Sequence, residues 1–170
     1  MRHINIPIFI PHLGCPNDCV FCNQKKITAR QPDVTMDEVR NTIETWLSTL
    51  TGREGMETVE IAFFGGSFTA IDREYMLSLL QAAYPFVQQG RARGIRCSTR
   101  PDAITPEILD ILREYGVTAI ELGAQSMQDD VLRMNLRGHT VADVFTASQL
   151  IKQWGFSLGL QMMPGLYGCS

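Results

Sequence analysis

The sequence predicts an α/β fold built on a parallel sheet. Short apolar runs of strand length alternate with longer stretches whose apolar residues recur at helical spacing, and this strand–helix unit repeats along the chain. The 170 residues, 45% of them hydrophobic, suffice for one globular domain with a sizeable core and are too few for two large ones. Parallel neighbours in such a sheet are joined by right-handed crossovers. Periodicity alone leaves open whether the sheet stays open or curls into a barrel.

Taken in order, INIPIFI (4–10) is a strand, followed by a long loop that carries three cysteines. VTMDEVRNTIETWLSTL (34–50) has helical spacing, with Thr35 as N-cap and Glu38 as its capping-box partner. TVEIAFFGG (58–66) reads as a buried strand ending in a glycine turn, residues 71–89 as a helix, and GIRCSTR (94–100) as a strand. TPEILDILREYG (105–116) is a helix with proline in its first turn and Gly116 as its stop. VTAIELGAQS (117–126) is a strand, two helical segments follow around 127–133 and 140–154, and FSLGLQMMPG (156–165) is the fifth strand. The chain then stops at GLYGCS, with no helix to cover that strand. Parallel strands normally bury their outer face, and an exposed hydrophobic edge is a liability. The expectation is that residues 1–170 are the N-terminal part of a larger domain.

Composition narrows the function classes. A net charge of −3 argues against a broad, purely electrostatic nucleic-acid surface, although a local basic patch such as NQKK (23–26) with Arg30 is compatible with phosphate contact or with a solvated loop. The N-terminus MRHINIPIFIPHLG is broken by two prolines and lacks a cleavage site, and no apolar run is long enough to cross a bilayer. These features predict a cytoplasmic protein with no membrane partner. In that compartment a cysteine cluster reads as metal-binding or catalytic, and five cysteines are an odd count for disulfides.

Three of the five cysteines, Cys15, Cys19 and Cys22, form CxxxCxxC within GCPNDCVFC. A structural zinc site takes four ligands, usually as separated pairs; His12 could complete a Cys₃His set, but no second pair supports it. A 4Fe-4S cubane usually takes four thiolates, so three leave one iron open to bind a substrate or cofactor.

This loop after a first strand, with Phe21 beside the third cysteine, resembles the signature of the radical S-adenosylmethionine (SAM) enzymes. GGSF (65–68), STRPD (98–102), ELGAQS (121–126), LRGHT (136–140) and MPGL (163–166) extend the resemblance to the elongator catalytic subunit family, and more loosely to the oxygen-independent coproporphyrinogen oxidases. The resemblance implies a partial (β/α) barrel of the radical SAM type, truncated after about the fifth strand. It implies a 4Fe-4S cluster on Cys15, Cys19 and Cys22, whose open iron chelates the amino and carboxylate groups of S-adenosyl-L-methionine. It further implies reductive cleavage of SAM to methionine and a 5′-deoxyadenosyl radical, and an electron donor such as flavodoxin or ferredoxin. By the same resemblance, Phe21 lies against the adenine and the Gly65–Gly66–Ser67 backbone meets the methionine ammonium. Ser98 stands where relatives carry a polar ribose contact, usually a longer glutamate. Gln125 serves the ribose or methionine end, Arg137 pairs with the SAM carboxylate, and Gln161 reaches a ribose hydroxyl. Independently of the family, these polar groups fall near the carboxyl ends of successive strands, where α/β folds bind ligands.

Other residues carry plainer expectations. Arg100 and Asp102 either pair in a turn or touch substrate, and His139 caps or supports rather than acting as a base. Glu121, on a buried strand, needs a cationic partner that the sequence does not name. Cys97 is a buried small hydrophobe, Met162 and Met163 line the core, and Cys169 follows a strand end. The implied substrate class is tRNA, modified at the wobble uridine, while the acetyltransferase domain of the elongator family has no counterpart within these residues. Tetrapyrrole oxidation and an iron–sulfur or zinc module without SAM chemistry are the rival readings.

Overall fold

The computed structural model describes residues 2–10, 15–22, 33–50 and 57–169. His12, the NQKK stretch and Arg30 lie outside the described residues. Five strands, β1 (Arg2–Ile10), β2 (Glu57–Gly65), β3 (Gly94–Thr99), β4 (Val117–Gln125) and β5 (Ser157–Met162), form one sheet in the order of the sequence, every neighbouring pair parallel. The connections hold α1 (Met36–Ser48), α2 (Arg73–Gln88), α3 (Pro106–Glu114), α4 (Asp129–Met134) and α5 (Val141–Gln153), with short 3₁₀ turns at Phe68–Ala70 and Pro101–Ala103.

When spatial order equals chain order and every crossover has the same hand, the helices collect on one face of the sheet. Burial shows which one. Ile6, Ile8 and Ile10 of β1, Ile61 and Phe63 of β2, Ile95 and Cys97 of β3, and Ile120 and Leu122 of β4 share a single core with Val39, Leu79, Leu109 and Ile151 of the helices. Phe63 stacks on Phe68 at 4.7 Å between ring centres, both wholly buried, so truncating either to alanine removes about 3–5 kcal/mol. The alternate positions, Asn5, Ala62, Ser98, Glu121 and Gln161 among them, line a cavity on the opposite face. This is the winding of a (β/α) barrel, five strands of it, and it resolves the choice that periodicity left open.

Local chemistry explains where elements begin and end. Thr35 accepts from the Glu38 N–H at 3.3 Å while the Glu38 carboxylate accepts from the Thr35 N–H at 2.7 Å, the reciprocal cap that the sequence suggests. Thr140 and Asp143 repeat it at the start of α5. Thr105 caps α3 with Pro106 in its first turn, and Gly116 reverses the chain at φ +72°. Pro7 is tolerated within β1 because that strand is the sheet edge.

At the other edge the expectation for the methionines fails. Strand β5 is shorter than 156–165, and the cover that α5 gives it stops short of its C-terminal residues. Met162 is therefore 46% exposed beside the equally exposed Leu160, while Met163 lines the cavity; neither lies in the core.

Candidate functional site

The cysteine loop is anchored to the chain after α4. Cys22 N–H donates to the Cys19 carbonyl at 2.9 Å, closing a tight turn between those two ligands-to-be. Val20 N–H donates to Asn135 O at 3.2 Å, and the Asn17 amide donates to Arg137 O at 3.2 Å. Gly138, at φ +76°, leaves room for that amide, since a Cβ there would run into it.

Arg137 bridges the loop and the sheet. One Nη donates to Cys19 Sγ at 3.4 Å, the other to Gly123 O at 2.8 Å, and the guanidinium lies 5.9 Å from the centre of the Phe21 ring. Arg100, almost wholly buried, supports it from below, donating to Arg137 O at 2.9 Å and to Asp102 at 2.5 Å. The Arg100–Asp102 pair is thus present, and it holds the arginine that holds Cys19.

Ser67 ties the third corner. Its hydroxyl accepts from Arg100 N–H at 3.1 Å, its carbonyl from Ala70 N–H at 2.9 Å, and its own N–H points to the Cys15 sulfur. Burial pushes the Cys15 thiol above its ordinary value, and the Arg100 charge and the Ser67 N–H oppose that rise. A bound cation would tip the balance to the thiolate. Gly65 has a reason that needs no ligand. At φ +112° its missing side chain is replaced by Ile10 O, 2.5 Å from where a Cβ would stand, and by the Phe9 ring. This close approach brings the loop after β1 against the turn after β2.

The end of β4 is strained. Gln125 is a buried non-glycine residue at φ +66°, a left-handed conformation that costs on the order of 1–2 kcal/mol. It is held there because its carbonyl accepts from Met163 N–H at 2.9 Å, and because Gly123 has no Cβ to strike its amide. His139 Nε2 lies 3.2 Å from Ala124 O, and burial first, then the Arg137 charge, holds its pKa below the ordinary value. A neutral ring donating to Ala124 is a supporting group, as expected.

All three cysteines, Phe21, Gly65, Gly66, Ser67, Ser98, Gln125, Arg137 and Gln161 line one cavity of about 710 Å³. Three buried polar atoms of lining residues make no hydrogen bond among the described residues; Arg96 Nε is ion-paired with Glu60 at 3.1 Å, which leaves Gln125 Oε1 and Arg137 Nε. One accepts and the other donates, so a ligand carrying both an O–H or N–H and a carboxylate would satisfy them. Among the described residues no three donors are drawn together as a single ion's ligand set would be. Tetrahedral zinc with bonds of ~2.3 Å needs sulfurs about 3.8 Å apart, whereas a cubane puts a separate iron at each thiolate. Three thiols from one loop on one cavity wall fit a cubane's donor set.

The cavity also has a polar floor that sequence reasoning did not foresee. Arg96 is the missing partner of Glu121, with Nη1 3.1 Å from its carboxylate and Nε 3.1 Å from buried Glu60. Ser98 donates to the other Glu121 oxygen at 3.4 Å, and Thr118 donates to Glu60 at 3.2 Å. The face was legible, since period-two alternation puts Arg96 and Ser98 on one side and Cys97 on the other, but the pairing with Glu121 was not. Cys97 faces the core, its thiol pushed up to about 12 by burial and then by Glu121; Cys169 is exposed.

Comparisons with known proteins agree with this architecture. The tRNA uridine(34) acetyltransferase of Methanocaldococcus infernus is 27% identical over 191 aligned positions, covering 92% of this chain and 36% of that protein. Elongator complex protein 3 of Schizosaccharomyces pombe is 33% identical over 128 positions, covering 65% of this chain and 24% of its own length. The chain therefore spans about a third or less of the curated relatives it matches. In fold, it superposes on the solved structure of Methanocaldococcus infernus Elp3 with a TM-score of 0.68 at 22% identity, covering 99% of this chain and 39% of that one. The sequence profile of the radical SAM superfamily matches residues 9–168, nearly the whole length, and the chain belongs to that superfamily.

Proposed function

We propose that this chain carries the cofactor-binding part of a radical SAM enzyme that acts on a tRNA uridine. The observation that carries the reading is the shared cavity: three cysteines of one loop line it together with Gln125 and Arg137, whose Oε1 and Nε are buried without a hydrogen-bond partner among the described residues. Cys15, Cys19 and Cys22 would hold the 4Fe-4S cluster. Bound there and reduced by a flavodoxin- or ferredoxin-type donor, the cluster supplies the electron that cleaves SAM to methionine and a hydrogen-abstracting 5′-deoxyadenosyl radical.

The protein's own residues do the rest. Arg137 offers the SAM carboxylate a charge-assisted contact through its free Nε, while its two Nη groups keep Cys19 and Gly123 in register. Gln125, preorganised by its strained backbone, presents an acceptor to a hydroxyl or ammonium. Phe21 gives the adenine an apolar face; Gln161, and Ser98 with its short hydroxyl, reach the cavity from β5 and β3 for the ribose. The turn Gly65–Gly66–Ser67 brings backbone polar groups to the methionine end. The apolar wall of Pro7, Phe9 and Phe64 limits water around the reacting atoms. The tRNA part of the reading rests on the relatives' names and on the match to them.

Equilibrium binding of SAM to the cluster-loaded chain tests the assignment. Arg137→Ala is expected to weaken SAM binding roughly tenfold to a hundredfold, the worth of a charge-assisted hydrogen bond, with iron content retained. Unchanged SAM affinity would remove the carboxylate role.

A further inference from the structure

We propose that the floor of the cavity, Arg96 and Glu121 with Phe64 beside them, is the recognition site for the Watson–Crick edge of the substrate base, a uracil on the reading given above, on which this proposal rests.

Pairing across the sheet makes the case. Phe9 lies opposite Phe64, and Ser98 opposite Glu121, which lies opposite Gly159. Phe63 pairs with Cys97, so one residue on, Phe64 neighbours Ser98 and the row reads Phe9, Phe64, Ser98, Glu121, Gly159. An aromatic ring and a carboxylate thus stand two strand spacings apart, about 9.6 Å, with only a serine between them. Gly159 keeps the far side open, because a Cβ there would stand 3.2 Å from Glu121 Cγ. Phe64 is 40% exposed although it faces the cavity, and the Glu121 side chain is 42% exposed.

Hydrogen-bonding capacity is left over at the same place. Of the five N–H groups of Arg96, one on Nη1 donates to Glu121 at 3.1 Å and the Nε lies 3.1 Å from Glu60 in an ion pair, which leaves guanidinium donors for a ligand. Two carboxylates face one guanidinium, so Glu121 retains acceptor capacity beyond what Arg96 and Ser98 use. A donor and an acceptor held side by side match a carbonyl next to a ring N–H, and an adjacent aromatic face matches the stacking that unpaired RNA bases require. Other bases also offer neighbouring donor and acceptor atoms, so uridine is chosen by the proposed reading and the floor supplies the edge contact.

The test is equilibrium dialysis of the cluster-loaded full chain, with SAM present, against uridine and against 3-methyluridine, which lacks the ring N–H. Uridine is expected to bind roughly tenfold more tightly than 3-methyluridine, the discrimination of one good base-edge pair. Glu121→Gln, which keeps the size and exchanges an acceptor oxygen for a donor, should shrink the difference to within about twofold. Arg96→Lys, which removes the spare guanidinium donor, should weaken uridine binding about fivefold, and it keeps the proposal testable if the first variant does not fold. Equal binding of the two nucleosides by the unmodified chain, absence of uridine binding, or an undiminished difference in Glu121→Gln would overturn the proposal. The cofactor reading is scored separately, by 5′-deoxyadenosine: a chain that makes it yet fails to discriminate defeats the base site alone, and a chain that discriminates without making it defeats the cofactor reading alone.

Discussion

Replacing Cys15, Cys19 or Cys22 by alanine is expected to bring the iron and acid-labile sulfide of anaerobically reconstituted protein down to background. Each is one of three thiolates on a loop with no fourth, and a cubane already short of one protein ligand has none to spare. The three losses differ in their secondary effects. Cys19 is buried and takes a hydrogen bond from Arg137, so its alanine variant also removes one of the arginine's contacts with the loop. Cys15 rests on the Ser67 N–H near Arg100, and its loss touches the turn after β2. The controls are the two remaining cysteines. Cys97 lies in the core on the helix side of β3, and Cys169 is exposed past β5. Cys97→Ala and Cys169→Ser are expected to keep full iron content. A loop variant that retained iron and sulfide would take that cysteine out of the ligand set.

Gly65→Ala is expected to be the most damaging single-methyl change in the described residues, lowering unfolding free energy by about 2–5 kcal/mol. Part of that, about 1–3 kcal/mol, is the backbone conformation at φ +112°, which an L-residue adopts only under strain. The remainder is the collision of Cβ with Ile10 O at 2.5 Å and with the Phe9 ring at 2.6 Å. Backbone cannot give way there, because Ile10 O also accepts from Gly66 N–H at 3.0 Å, the bond that joins the ends of β1 and β2. Gly90 provides the comparison. Its φ is +69° but nothing lies within 4 Å of its missing Cβ, so Gly90→Ala is expected to cost about 1–2 kcal/mol. Urea unfolding followed by circular dichroism separates the two; equal losses at both positions would show that the β1–β2 approach is looser than described.

What was legible in the sequence follows from how local each signal is. The capping box of Thr35 with Glu38 and the stop at Gly116 depend on a few consecutive residues, and both stand as read. The strands were visible because helix-side positions such as Ile6, Ile8 and Ile10 are uniformly apolar. Single-sided winding was not legible in periodicity, because strand order is set by long-range pairing to which no short window has access; the partial (β/α) barrel was read from the family motifs, and the strand order bears it out. The cysteine loop announced itself by spacing, yet its anchors at Asn135 and Arg137 lie more than a hundred residues away. Glu121 was recognised as needing a cation, and Arg96 could not be named because the pairing of β3 with β4 shifts register between Ile95 and Arg96. Met162 and Met163 misled because apolar character does not say how far along β5 the cover of α5 reaches.

The most direct test of the account is the production of 5′-deoxyadenosine by anaerobically reconstituted chain given SAM and a strong reductant. The account predicts 5′-deoxyadenosine that disappears when any one of Cys15, Cys19 or Cys22 is replaced by alanine. A chain that binds zinc in place of an iron–sulfur cluster, or that forms the cluster and leaves SAM intact, would contradict it.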